Sequence, residues 1–458
     1  MVKTLNRTKF LEDLNNAIDN FEDNFYNKVV AISHNDADGI SSLHIIQNLL
    51  YKMSINYDYF IYNRSVSWAN YLEGILSRKT TNKTAYIFTD VGSNLLELIP
   101  IINNREEHFY ILDHHEVDCN FNDCNIPENL YFVNPTVYGY DGLEHIAGST
   151  LAYMFAKKIK PSLIKQGWLT IIGIAGDSLT STDMLQSFNR EIYEEILDEE
   201  VFEDQEGLIL FGSMYDTIKN ALKFSILPYV DGFGGESDKK IKIELQALNI
   251  DPNKKTIDLN EREHQILQEK TNAHMGHYAL LHKKQGILRF AFEHALLLNI
   301  LCFKNISAAI SIIQLKKATR YAKDLYHQYI NNLTKNMKTL STELPRVETE
   351  KAIFIDVMGK IPPSSWSDTA SFSSVNELLD PYKILILGGE EKKSRTIKLS
   401  IRCTKKFLAH NDGIGINSII GKIKGEYGGM GGGHKLAGGI RLSKPSYNLL
   451  KSKIDEFI

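Results

Sequence analysis

Between Lys28 and Pro135, short apolar runs alternate with helical stretches, and most of these runs end on a side chain able to hold a metal ion or a proton. Lys28 to Ser33, Asn56 to Tyr62, Thr84 to Thr89, His108 to Leu112 and Leu130 to Val133 read as strands, most of them rich in β-branched and aromatic residues. Phe10, Leu14, Ile18, Phe21 and Phe25 recur at helical spacing from about Thr8 onward, and Ile40 to Lys52 also reads as helix. Strands separated by helices predict an α/β fold built on a mainly parallel sheet with helices on both faces. In such sheets ligands bind at the carboxyl edge. His34, Asp36 and Asp38 follow the first strand, Asp90 the third, Asp113-His114-His115 the fourth and Asn134-Pro135 the fifth. The apolar run Trp168 to Ala175, strand or buried helix, ends at Asp177.

At 458 residues the chain is too long for one ordinary core. The expected division is a first domain over 1–200, a mostly helical insertion over 201–300, a connecting helix over 301–345 and a smaller α/β domain over 346–458. Ala295 to Leu315 reads as buried helix, broken by Asn299, Lys304 and Asn305, and not as a membrane span. No Gly or Pro interrupts Ile306 to Leu340, which predicts one long helix. The acidic stretch Ile192 to Glu206 reads as a solvated helix face and loop, with an interaction surface as the alternative. Net charge is −4, but from Arg346 onward 18 basic residues face 12 acidic ones, against 34 and 44 in the remainder. The closing part is thus +6 and the rest −10, which points to an anion as partner of the tail. Four cysteines make no disulfide framework at this length, and a reducing cytoplasm is the simplest reading. Cys119 and Cys124 have the spacing of a zinc pair, but no second pair follows.

Hard divalent cations take carboxylate oxygens, and imidazole suits manganese among other metals. Two ions ~3.5–4 Å apart clamp the attacking and leaving oxygens of a phosphoryl displacement. His34, Asp36, Asp38, Asp90, His114 and Asp177 supply the six ligands such a pair needs, with a bridging carboxylate among them. His115 would stand free to bond the phosphoryl group or help the leaving oxygen depart, and Asp113 would orient its neighbours. His115, Asp113 and Asp90 are therefore the catalytic candidates. Each aspartate alone also reads as a helix N-cap. The glycine run Gly428 to Gly433, with Gly431, Gly432 and Gly433 ahead of His434 and Lys435, reads as an anion cradle or a plain loop. Ser149, in Gly148-Ser149-Thr150, opens a helix as either an anion site or an ordinary cap.

Together His34-Asn35-Asp36-Ala37-Asp38-Gly39, Asp90, Asp113-His114-His115, Asn134-Pro135 and Asp177 resemble the DHH phosphoesterase superfamily. Gly431-Gly432-Gly433-His434 and Ala437-Gly438-Gly439 resemble its DHH-associated domain, and Arg402 stands where that domain places a substrate-binding arginine. Within the superfamily the chain is similar to RecJ-like exonucleases, above all the archaeal branch associated with the replisome complex GINS. The resemblance implies hydrolysis from a single-stranded DNA or RNA end with two divalent cations, manganese first and magnesium second. It also implies GINS or another replisome component as a partner through the insertion, and a role in replication or repair. Oligoribonucleases and cyclic-dinucleotide phosphodiesterases of the same superfamily are the alternative, and some relatives of the branch persist as scaffolds without catalysis.

Overall fold

The computed structural model describes residues 5–63, 66–78, 83–178, 181–391 and 396–458. By internal contacts the chain forms two compact units, one made of 1–208 with 275–326 and the other of 209–274 with 327–458, so residues 201–300 are divided between them.

The first unit is built on five parallel strands, β1 (Lys28–His34), β2 (Asn56–Tyr62), β3 (Thr84–Thr89), β4 (His108–Leu112) and β5 (Leu130–Val133). Their order is β2-β1-β3-β4-β5. Alternate residues of one strand enter opposite cores, so a sheet covered on both faces needs nearly continuous apolar strands. Val30 and Ile32 point with Phe88, Phe109 and Ile111 into a core shared with α3 (Trp68–Leu76) and α4 (Leu95–Ile102). On the opposite face Tyr110 meets Phe21 of α1 (Arg7–Asp23) and Phe155 of α5 (Gly148–Ile159). Helix α2 (Ala37–Lys52) packs on β1, α5 and α6 (Trp168–Ser178). The run from Trp168 is therefore a helix, and Asp177 sits in its last turn.

The same unit holds a two-stranded antiparallel sheet, β6 (Phe202–Leu208) and β7 (Met275–Leu281). Glu203, Asp204 and Glu206 thus lie on a strand where a loop was expected. The apolar stretch after Ala291 is two helices, Ala291–Lys304 and Ile306–Leu315. The expected single helix over Ile306 to Leu340 is interrupted: Lys316 takes a left-handed C-cap (φ 55°), and the next helix starts at Arg320 and runs to Thr342. Among the described residues no helix is long and apolar enough to cross a membrane. Cys119 and Cys124, expected free, form a disulfide, while Cys302 and Cys403 are buried thiols.

The second unit contains a six-stranded sheet in the order β12-β13-β11-β10-β9-β8, with β8 (Arg346–Glu348), β9 (Ala352–Asp356), β10 (Ile384–Glu391), β11 (Thr396–Arg402), β12 (Met430–Gly433) and β13 (Ala437–Leu442). Only β9 and β10 run parallel. Phe354, Ile386, Leu399, Ile401 and Ile440 build its core with Ile416, Ile419 and Ile423 of the helix Ile416–Tyr427.

Candidate metal centre

The order β2-β1-β3 reverses direction at β1, and the crevice outside the carboxyl ends of β1 and β3 is where an open parallel sheet leaves room for a ligand. His34 ends β1 and Asp90 follows β3. Asp90 holds a left-handed backbone (φ 58°), a conformation uncommon for a residue with a side chain and found preferentially at functional sites.

Asp36 caps α2: one oxygen accepts from Gly39 N–H at 2.9 Å, and the other contacts His34 Nδ1. The cap reading and the ligand reading of this residue are thus both served, by different oxygens. Asp38, in the first turn of α2, is buried and accepts from the backbone of α5, Gly148 N–H at 2.7 Å and Ser149 N–H at 2.9 Å. The anion at that helix N-terminus is therefore an internal carboxylate. Ser149, expected to bind substrate, is fully buried, and its hydroxyl faces Thr170 O at 3.4 Å. Gly148 and Gly173 make this approach possible: a Cβ at either would come within 2.8 Å or 2.3 Å of the Asp38 carboxylate.

Three groups offer ligand atoms within 4.8 Å of one another: His34, Asp36 and Asp90; Asp38, His114 and Asp177; and Asp90, Asp113, His114 and His115. The first two, with Asp90 in the first, are the two half-sites of the expected ion pair. Asp90 joins them. Its Oδ2 lies 3.6 Å from His34 Nδ1, and its Oδ1 lies 2.9 Å from His114 Nε2. His114 Nε2 is also 3.3 Å from Asp177 Oδ2 and 3.7 Å from Asp38 Oδ2. Residues 28–175 match the family model described as DHH family, N-terminal domain. The chain carries a DHH-family domain. An uncharacterized protein of Methanocaldococcus jannaschii, MJ0831, is 25% identical over 467 residues, spanning 99% of this chain and 98% of that one. Among solved structures, CDC45 from Entamoeba histolytica matches with a TM-score of 0.64 at 12% identity, over 98% of both chains. Exonuclease RecJ bound to manganese matches with a TM-score of 0.52 at 14% identity, over 100% of this chain and 95% of that one. The chain therefore has the fold shared by CDC45 and RecJ.

The DHH motif itself divides its labour. Asp113 is 1% exposed and every bond it makes is internal. Its Oδ2 accepts from Ser93 N–H (2.8 Å) and Ser93 Oγ (2.6 Å), and its Oδ1 from His115 Nδ1 (2.8 Å) and His114 N–H (2.8 Å). Asn134 ties the layer together, donating from Nδ2 to Ser93 Oγ and to His115 O. His114 directs Nδ1 at Gly142 O (2.5 Å), which leaves Nε2 for the acidic cluster. His115, its Nδ1 held by Asp113, has an Nε2 free of such bonds and a side chain 34% exposed. Ser93 and Asn299, whose Oδ1 accepts Ala37 N–H at 2.7 Å, were not anticipated. Neither is adjacent to a motif residue along the chain.

Electrostatics fit a cation. Asp90 Oδ2 and Asp177 Oδ2 are buried and meet no hydrogen-bond donor. Burial raises Asp38 to about 6, with Asp90 adding to it, and burial with Asp38 lifts Asp177 well above the carboxylate range. For Asp90 burial acts the same way, but His114, bonded to Oδ1, and the nearby His34 overrule it and hold it well below the usual value. Burial opposes charge on His34, yet Asp36 and Asp90 push it up to about 11. Burial likewise disfavours charge on Asp113, but His115 brings it down to about 2. Two buried carboxylate oxygens without donors and a carboxylate-imidazole donor set fit a divalent cation such as manganese or magnesium.

In the second unit the anticipated substrate residues stand differently. Arg402 is 8% exposed, and each nitrogen of its fork is bonded within the protein: Nε to Ser371 Oγ, Nη1 to Ile401 O and Gly438 O, Nη2 to Ser367 O and Oγ. Gly431, Gly432 and Gly433 form edge strand β12 on β13 instead of a loop, and His434 N–H closes the turn onto Ala437 O.

Proposed function

We propose that this protein is a metal-dependent phosphodiesterase of RecJ type, an exonuclease that hydrolyses single-stranded DNA or RNA from an end with two divalent cations, manganese first. The observation that carries this is Asp90, one carboxylate turned toward both half-sites. In this reading His34 and Asp36 hold one ion, Asp38, His114 and Asp177 the other, and Asp90 lies between them. Bound there, divalent cations supply Lewis acidity toward a phosphodiester and make water acidic enough to attack it. The chain's own contribution is orientation. Ser93 and Asn134 fix Asp113, Asp113 fixes the ring of His115, and burial opposes but does not prevent Asp113 from raising that imidazole's pKa. A protonated His115 can bond a phosphoryl oxygen or give its proton to the departing oxygen. Arg402 then serves the second unit by bracing β11 and β13, and the β12 edge with His434 is the surface there that meets the phosphate backbone.

The test is hydrolysis of single strands labelled separately at each end, as DNA and as RNA, with manganese, with magnesium and with chelator. Release of mononucleotides from long strands with manganese, abolished by chelator, is expected. Cleavage confined to dimers through pentamers would move the chain to the short-oligomer phosphodiesterases, and inertness with every metal would leave a binding protein on the same fold.

A further inference from the structure

Helix α6 carries Asp177 near one end and Trp168 at the other, roughly 14 Å apart along the axis. The Trp168 end has a site of its own. Strand β7 leaves the sheet at Leu281 and returns at Arg289. The loop between is closed at its base by Leu281 N–H on Arg289 O (2.7 Å) and by the pairing of Leu280 with Phe290. Lys283 (φ 60°) and Gly286 (φ 55°) are both left-handed, which folds the loop tightly. It borders a cleft of about 390 Å³ lined by His282, Lys283, Lys284, Gln285, Gly286 and Arg289, together with Leu281.

No carboxylate lines this cleft. Lys284 is 9% exposed, and its Nζ is buried without a hydrogen-bond acceptor, 3.9 Å from the centre of the Trp168 ring. His294 stacks on the same ring, and its Nε2 is also buried and unbonded. Burial and then Lys316 bring Lys284 down to about 8. The acid paired with Arg289 is Glu203, an exposed side chain at 3.8 Å. A ring face offsets part of the cost of burying an ammonium, but its three donors stay unsatisfied. Burying polar hydrogens without acceptors is unfavourable, and an arriving oxyanion would supply them.

We propose that this cleft binds a phosphate group, with Lys283 and Arg289 as donors on its wall and Lys284 turning its covered Nζ from the Trp168 ring to the anion as a third. The volume suits a mononucleotide. The phosphate belongs either to a free nucleotide or to one residue of a longer strand. The site is separate from the metal centre and does not depend on the reaction assigned to it.

The test uses the full chain in chelator, which keeps the metal centre out of the measurement. Inorganic phosphate, adenosine monophosphate and a single-stranded hexamer are each titrated by calorimetry and thermal melting. Wild type should bind at least one of them and melt higher in its presence. Lys284→Met keeps the apolar stem over Trp168 and should lose at least ten-fold in affinity, with an anion-free Tm no lower than wild type. Lys283→Ala, a change at an exposed position, reads the same loss should the first variant not fold. Binding of the monophosphate identifies a free nucleotide as the ligand, and binding of the hexamer alone identifies a strand phosphate. No response in wild type, or an equal response in wild type and both variants, would overturn the proposal and leave Lys284 as a lysine held by its tryptophan.

Discussion

The carboxyl edge of the five-stranded sheet and the Arg402–β12 region of the six-stranded sheet both hold motif residues, yet they spend their polar atoms in opposite ways. At the first edge Asp36 and His114 each use one atom to fix their position and keep another turned to the acidic cluster, while Asp113 is spent on holding its neighbours. Asp36 caps a helix with one oxygen and faces His34 with the other, while His114 anchors Nδ1 and presents Nε2. In the second region Arg402 spends its whole fork inside the protein. A motif residue with polar capacity left over is available for chemistry. One with none left is part of the frame.

Substitutions should separate the two classes, beginning with the largest effect. Asp90→Ala removes the carboxylate shared by both half-sites, so hydrolysis should fall well beyond the ~10–100-fold that losing a supporting residue costs. Manganese titration followed by calorimetry should show weakened binding at both sites; full activity would end the two-ion reading. If His115 acts on the phosphoryl group and is not a ligand, His115→Ala should cost on the order of 10²–10⁴ in kcat with manganese binding intact. Ser93→Ala removes one donor from Asp113 and leaves the backbone one, so a ~10-fold loss in kcat is expected. Acid should empty the centre. Asp38 titrates near about 6 and Asp177 and His114 are raised, so protons compete with cations, and manganese affinity should fall as pH drops through about 6. Calorimetry in buffers of different ionisation enthalpy should find protons released on binding.

What could be read in the amino-acid sequence follows the same division. The five parallel strands are legible because a sheet covered on both faces demands nearly continuous apolar runs, and their ends mark where ligands gather. The clustering of His34, Asp36, Asp38, Asp90, His114 and Asp177 follows from those ends once α6 is known to be a helix. Local signals failed wherever tertiary packing overrode them. Lys316 stops a helix in the left-handed conformation that glycine usually marks. β12 is mostly glycine, the poorest strand former, and is held by β13. Ser149 looks like an open helix N-terminus, and nothing nearby in sequence reveals that Asp38, on another helix, already fills it.

The smaller effects sharpen the contrast from the other side. Arg402→Met should lower stability by about 2–3 kcal/mol, since it strips hydrogen bonds from two serine hydroxyls and three carbonyls inside the protein. Its signature should be a lower Tm, with KM unchanged in the folded fraction. The glycine strand divides residue by residue. A Cβ on Gly431 or Gly433 would come 2.3 Å from a carbonyl oxygen of the adjoining strand β13, Gly439 O or Ala437 O, so alanine at either should weaken the pairing. A Cβ on Gly432 meets nothing within 4 Å, so Gly432→Ala should leave stability within about 0.5 kcal/mol of wild type. If the β12 edge receives phosphate, that same methyl group stands in the way of close backbone approach, and KM for an oligonucleotide should rise while kcat holds. An unchanged KM would assign the glycines to strand pairing alone, which would place β12 in the frame beside Arg402.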